Sequence, residues 1–128
     1  VKYTIVYKGQ GVSWNEIYGS SGKNAWKVRK TLVDKYKKIF TILLLEAKLP
    51  WFEEYDLTLF YNSRQDPDNA SCSIKMFADA FKQDRLGDTI LKKGWVYDDS
   101  KKYCKGVHII PDETLENNTF KFVLTKLK

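Results

Sequence analysis

Histidine and methionine occur once each, cysteine twice and proline three times in 128 residues, and these scarcities exclude several kinds of protein. His108 alone cannot build a histidine-rich zinc centre, and a histidine-based catalytic triad is equally unpromising. Cys72 and Cys104 are too few and too far apart for a zinc ligand spacing or a disulfide framework, so both are expected to be inert thiols. Long apolar runs are missing too. The longest, Ile39 to Leu45, lies between lysines and falls far short of the roughly 20 residues that a membrane span needs. The first residues carry no signal-peptide pattern. A cytoplasmic protein with no membrane partner is therefore expected. Internal repeats and low-complexity stretches are likewise missing.

What is present suits one folded unit. Hydrophobic residues make up 43% and aromatics 15% of the chain, enough for a core in a single domain spanning residues 1–128. Lysine and arginine outnumber aspartate and glutamate by 22 to 16, a formal charge of +6 with a pI near 9.2. That balance favours a polyanionic partner such as nucleic acid, without naming it.

The periodicities predict an α+β (α/β) fold, a mixed sheet with two main helices in the order β-α-β-α-β-β. Val1 to Lys8 alternates as a strand, and Val12 to Gly22 reads as a turn-rich connection ending in Ser21, a candidate helix cap. A long helix follows. Its buried stripe is expected to hold Trp26, Leu32, Val33, Tyr36, Phe40, Leu43, Leu44 and Ala47, with termination before Pro50. Its other side carries Lys23, Lys27 and Lys30 at i, i+4 and i+7, either a phosphate-facing surface or a solvated one. Glu54 to Asn62 alternates as a second strand. A short helix is expected from about Asn69 to Lys82, with Ile74, Phe77, Ala78 and Phe81 facing the core. The stretch from Gln83 to Gly94 reads as an extension of that helix or an inserted one. Gly106 to Pro111 and Thr119 to Leu127 supply the last strands. Trp14, Trp26, Trp51 and Trp95 are expected mainly in the core, with Trp95 also a candidate for the lining of a site.

The chemistry is concentrated in Arg64-Gln65-Asp66-Pro67-Asp68-Asn69, in Lys75 and Asp79, and in Gly94-Trp95-Val96-Tyr97-Asp98-Asp99. Helical spacing places Asp68, Cys72, Lys75 and Asp79 on one face. Across the extended turn that Pro67 imposes, Asp66 and Asp68 point the same way and can converge on one Mg²⁺, which takes oxygen ligands and keeps positions open for a phosphate. Asp98 and Asp99 can complete such a site, and Lys75 can offset charge on a scissile phosphate. The same residues also read without chemistry, as a turn, a helix cap and a surface ion pair.

Taken together, Asp66-Pro67-Asp68-Asn69, Lys75, Asp79 and the Gly94–Asp99 segment resemble the RusA-like Holliday-junction resolvases, especially the phage-encoded members. Ser13-Trp14-Asn15-Glu16-Ile17-Tyr18 is similar to that family's loop after the first strand. The stretch from Lys82 to Lys93 is longer than in compact members. The resemblance implies a homodimeric, Mg²⁺-dependent endonuclease, with Mn²⁺ as the alternative ion, that binds four-way DNA junctions and nicks two strands symmetrically. It makes Asp66, Asp68 and Asp99 the metal-binding aspartates, Lys75 the catalytic lysine, and Asn69, Asp79 and Asp98 supporting residues. Lys23, Lys27, Lys30 and Arg64 become the DNA contacts. The rival expectation is a non-catalytic junction- or nucleic-acid-binding module, and a third is a nuclease for other branched or single-stranded DNA.

Overall fold

Tyr55, Leu57, Leu59 and Tyr61 are all buried while the residues between them are only half-buried, the period-two signature of a strand with one face on the core. The computed structural model describes residues 1–19 and 22–128. The elements are β1 (Lys2–Lys8), α1 (Trp14–Tyr18), α2 (Ala25–Glu46), β2 (Tyr55–Asn62), α3 (Pro67–Phe81), β3 (Asp84–Leu86), β4 (Thr89–Lys92), β5 (Cys104–Pro111) and β6 (Thr119–Lys126). The main sheet has the order β1-β6-β2-β5. Strand β6 is antiparallel to both β1 and β2, and β2 is parallel to β5. Strands β1, β2 and β5 therefore share one direction. The fold is α+β with a mixed sheet.

Two crossovers follow from that direction, β1-α2-β2 and β2-α3-β5. Each helix starts beyond the carboxyl end of one parallel strand and returns toward the amino end of the next, so α2 and α3 run the same way over one face. Tyr36, Phe40 and Leu44, at i, i+4 and i+8, are the buried residues of α2. Helix α3 buries Ile74, Phe77, Ala78 and Phe81 as its spacing predicts. The two stripes meet the sheet in an aromatic cluster. Phe77 stacks on Phe122 at 4.2 Å between centroids, and Phe40 meets both rings edge-on at 5.8 and 5.3 Å. Burial of each such ring stabilises by about 1.5–3 kcal/mol, which fixes the slope of both helices on the sheet. Among the described residues no helix is long and apolar enough to cross a membrane.

Several expectations need correction. The turn-rich segment contains α1, because Ser13 accepts a hydrogen bond from the Glu16 backbone N–H at 3.2 Å and caps a short helix. The cap expected of Ser21 lies outside the described residues. Instead of helix, residues 84–92 form the β3–β4 hairpin, which turns at Gly87 with φ +60°. Trp26 and Trp51 are 57% and 46% exposed rather than in the core, and Ala47 is also exposed. Helix α2 begins at Ala25, so Lys23 sits in the preceding turn and not on the helical face. Cys72 is fully buried. It therefore leaves the exposed face on which Asp68, Lys75 and Asp79 were expected to join it.

Candidate functional site

The residues that start α3 are held by the loop before them. Tyr61 donates from its hydroxyl to the Gln65 carbonyl at 2.9 Å, Gln65 donates from its side-chain amide to the Val12 carbonyl at 2.9 Å, and Asn62 donates to the Leu115 carbonyl at 2.7 Å. Asp66 then takes the N-cap position with extended backbone, and Pro67 occupies the first helical turn, where its missing N–H costs nothing and its fixed φ suits the helix. The cap reading of Asp66 is only half right. Its backbone carbonyl accepts from Asn69 and Ala70, but its side chain makes no capping bond. Asp68 accepts from the Asn69 N–H at 3.0 Å. Both carboxylates are exposed, and neither has a cationic partner among the described residues. Their field reaches inward: burial first, then Asp66 and Asp68, raise the Tyr61 phenol above its ordinary value.

Beside Asp66 opens a cavity of about 830 Å³ whose walls include Asn15, Glu16, Arg64, Asn69 and Asn117. It lies past the carboxyl ends of β1 and β2, the end at which open α/β sheets hold ligands. Helix α1 closes one side and is pinned by two bonds. Trp14 donates from Nε1 to Ser71 Oγ on α3 at 2.9 Å, and Arg29 of α2 donates to the Ile17 carbonyl at 3.3 Å. Glu16 is a site residue that the motif reading missed. Its signal was available, since Ser13 and Glu16 have the Ser-x-x-Glu spacing of a helix start.

Lys75 belongs to a second cluster. Its ammonium lies 3.2 Å from Asp79 and 3.5 Å from Asp99, while Lys82 lies 3.7 and 3.6 Å from the same two carboxylates. Two anions and two cations thus alternate. Burial works against the Lys75 charge, but Asp79 and Asp99 outweigh it and hold the ammonium above its ordinary pKa. Burial raises the Asp99 carboxyl, and Lys82 and Lys75 together pull it below the ordinary carboxylate value. The segment before Asp98 is fixed by backbone bonds: Trp95 donates to Phe81, Gln83 to Val96 and Phe52 to Trp95. A Cβ on Gly94 would run into the Lys82–Gln83 peptide. Trp95 stacks on Phe81 with planes 5° apart, so it covers the end of the core rather than the Asp66 cavity.

The three aspartates expected to share an ion are not gathered. Among the described residues no three histidine, cysteine, aspartate or glutamate side chains are grouped to hold a metal. Topology gives the reason. Asp66 and Asp68 follow the carboxyl end of β2, whereas Asp98 and Asp99 precede the amino end of β5, and these strands are parallel. The two acidic segments therefore open at opposite ends of the sheet. Along α3 the rise from Asp68 to Asp79, the partner of Asp99's lysines, is about 16 Å.

Of the expected DNA contacts, Arg64 lines the cavity, and Lys27 and Lys30 are exposed on the first turns of α2. Lys30 is paired with Asp34 at 3.2 Å. His108 is exposed on β5. Burial pushes the Cys72 thiol up to about 12 and raises Cys104 as well, which leaves neither as a nucleophile at neutral pH.

The donors at the start of α3 fit a hard divalent cation. Asp66, Asp68 and the Asn69 amide offer oxygen, and Mg²⁺ is held by one or two carboxylates with waters and substrate phosphate more often than by a full protein cage. No protein-family model matches the chain, and no curated protein matches it.

Proposed function

We propose that this chain is a Mg²⁺-dependent endodeoxyribonuclease of branched DNA, a crossover-junction resolvase of the RusA-like kind. The observation that carries the reading is the state of Asp66 and Asp68. Carboxylates at a helix start ordinarily cap the helix or pair with a cation; here the Asp66 side chain does not cap, and neither residue has a cationic partner among the described residues. They stand at the ligand-binding end of the sheet next to a polar cavity. In this reading Asp66 and Asp68, with Asn69, hold the ion, which when bound activates water and offsets phosphate charge. Lys75 supplies a fixed positive charge further along the strand path. Asp79 and Asp99 are positioning residues that keep Lys75 protonated and aimed, with Asp98 supporting Asp99. Lys27, Lys30 and Arg64 contact phosphates. A homodimer would present two such sites to strands related by the junction's own two-fold symmetry.

The engagement of Asp99 by two lysines favours a second reading, a junction-binding protein that does not cut. One experiment separates the two. An immobile four-way junction and a linear duplex of the same sequence are incubated with Mg²⁺ or EDTA, using the wild type and Asp68→Asn. Paired nicks in the junction alone, lost with EDTA and in the variant, are the expected result. Tight binding by both proteins with no cutting under Mg²⁺ or Mn²⁺ would leave the binding reading in its place.

A further inference from the structure

We propose that the cavity beside Asp66 is a nucleobase pocket that receives one unstacked nucleotide of the bound DNA and reads its edge with side-chain amides. The identity of the polymer rests on the nucleic-acid reading above; the preference for a base comes from the walls. Among the described residues no aliphatic or aromatic side chain lines the cavity, so an acyl chain or other apolar ligand finds no complement. Its charged lining is one cation, Arg64, against two carboxylates, Glu16 and Asp66, which disfavours an anion inside. A neutral group rich in hydrogen-bonding atoms fits instead.

The amides supply that complement. Asn62 and Gln65 use their donors to hold the loop. The Asn15 and Asn117 side chains make no hydrogen bond among the described residues, although both line the space. Each carries an acceptor and a donor side by side, the pattern that Asn and Gln match to base edges. The volume lies within the roughly 300–1,000 Å³ of small-ligand pockets, ample for one nucleotide. Its phosphate would remain outside the cavity. Unstacking is least costly where pairing is already broken, which is the situation at a branch point.

Buried Gly11 closes the cavity onto the core. A Cβ on Gly11 would collide with the Phe120 ring and with the Gln65 side chain, so the backbone there packs directly against both.

The test reads binding without metal. Four-way junctions carrying a single abasic residue, moved nucleotide by nucleotide through the branch point, are titrated with wild-type protein and with Asn15→Ala and Asn117→Ala in EDTA. In the wild type, one abasic position should weaken binding about 5- to 150-fold. Each variant should lose a similar factor on the intact junction and little more on that abasic one. Asn15 and Asn117 are exposed, and unchanged thermal unfolding of the variants confirms that they fold. Equal affinity for every abasic junction overturns the pocket, as does full abasic sensitivity in both variants. Because no cutting is measured, base sensitivity without Mg²⁺-dependent nicks would refute the nuclease and keep the pocket, and nicking without base sensitivity would do the reverse.

Discussion

Asp99 shows how burial and neighbouring charge compete to set the stability that one side chain contributes. Burial alone would make it a weaker acid, and Lys82 and Lys75 reverse the sign. With its folded pKa below the free value near 3.9, ionised Asp99 stabilises the fold above that value. The contribution is lost as pH falls through the folded value. Lys75 is the mirror image: its raised pKa gives a contribution complete below the free lysine value near 10.4 and lost as pH rises through the folded one. Both pairs are partly exposed, with side chains 50% accessible at Lys75 and 22% at Asp99, so after screening they are worth about 0.5–2 kcal/mol together. Asp99→Asn should therefore lower stability by that amount near neutral pH and flatten its decline toward about pH 3. Urea unfolding of both proteins at the two pH values checks this. Parallel pH dependences would mean that the carboxylate gains nothing from its lysines.

At the scale of elements, the β3–β4 hairpin is an attachment rather than a support. Leu86, Ile90 and Leu91 are exposed, and the hairpin reaches the body through Lys92, whose ammonium donates to the Ala80 carbonyl at 2.6 Å, and through Arg85, which lies over the Tyr97 ring. Its two ends are already tied, by Trp95 to Phe81 and by Gln83 to Val96. Replacing residues 84–92 with a short Gly-Ser turn should change stability by no more than about 1 kcal/mol and leave the Lys75–Asp99 cluster in place; a large loss in thermal unfolding would show that the hairpin helps to hold α3. The hairpin was illegible in the sequence for the same reason that its removal is expected to cost little. With almost every residue exposed, no face is selected for burial and no period is written. Helix α1 has five residues, too few for a period, and only its Ser13 cap marked it. By contrast, β2 presses one face on the core, and α3 buries the Ile74, Phe77, Ala78 and Phe81 that its spacing named, together with Cys72, Met76 and others that it did not. Trp26 is in phase with Val33, but phase gives a direction and not a neighbour, and Trp26 is exposed. The acidic motif was legible as segments. Its geometry was not, because the end of the sheet at which each segment opens depends on the parallel pairing of β2 with β5, which no local spacing encodes.

Over the whole molecule, the two crossovers bring to one end what the chain keeps far apart. The starts of α2 and α3, the carboxyl ends of β1 and β2, and α1 between the helices all lie there. Asp66, Asp68, Arg64, Lys27 and the amide-lined cavity therefore lie toward the same end of the sheet. Both helix N-termini add positive dipole ends to it, and the net charge of +6 has the sign that attracts a polyanion from a distance. A protein that neutralises DNA phosphates releases counterions, so its affinity falls linearly on a logarithmic salt axis with a slope near −0.9 for each phosphate. Lys27 and Lys30 differ in a way that makes the test specific. Lys30 is engaged with Asp34 at 3.2 Å, whereas Lys27 has no carboxylate partner among the described residues and only lies over its neighbour Trp26 at 5.6 Å. Lys27→Ala should weaken junction binding to a similar degree whatever the base sequence and reduce the salt slope by about one. Lys30→Ala should change it less, since the pair with Asp34 already neutralises part of that charge. Fluorescence anisotropy with a labelled four-way junction across a salt series measures both slopes. An unchanged slope for Lys27→Ala would place the phosphate track elsewhere than the start of α2, and would separate the basic helix from the site at Asp66.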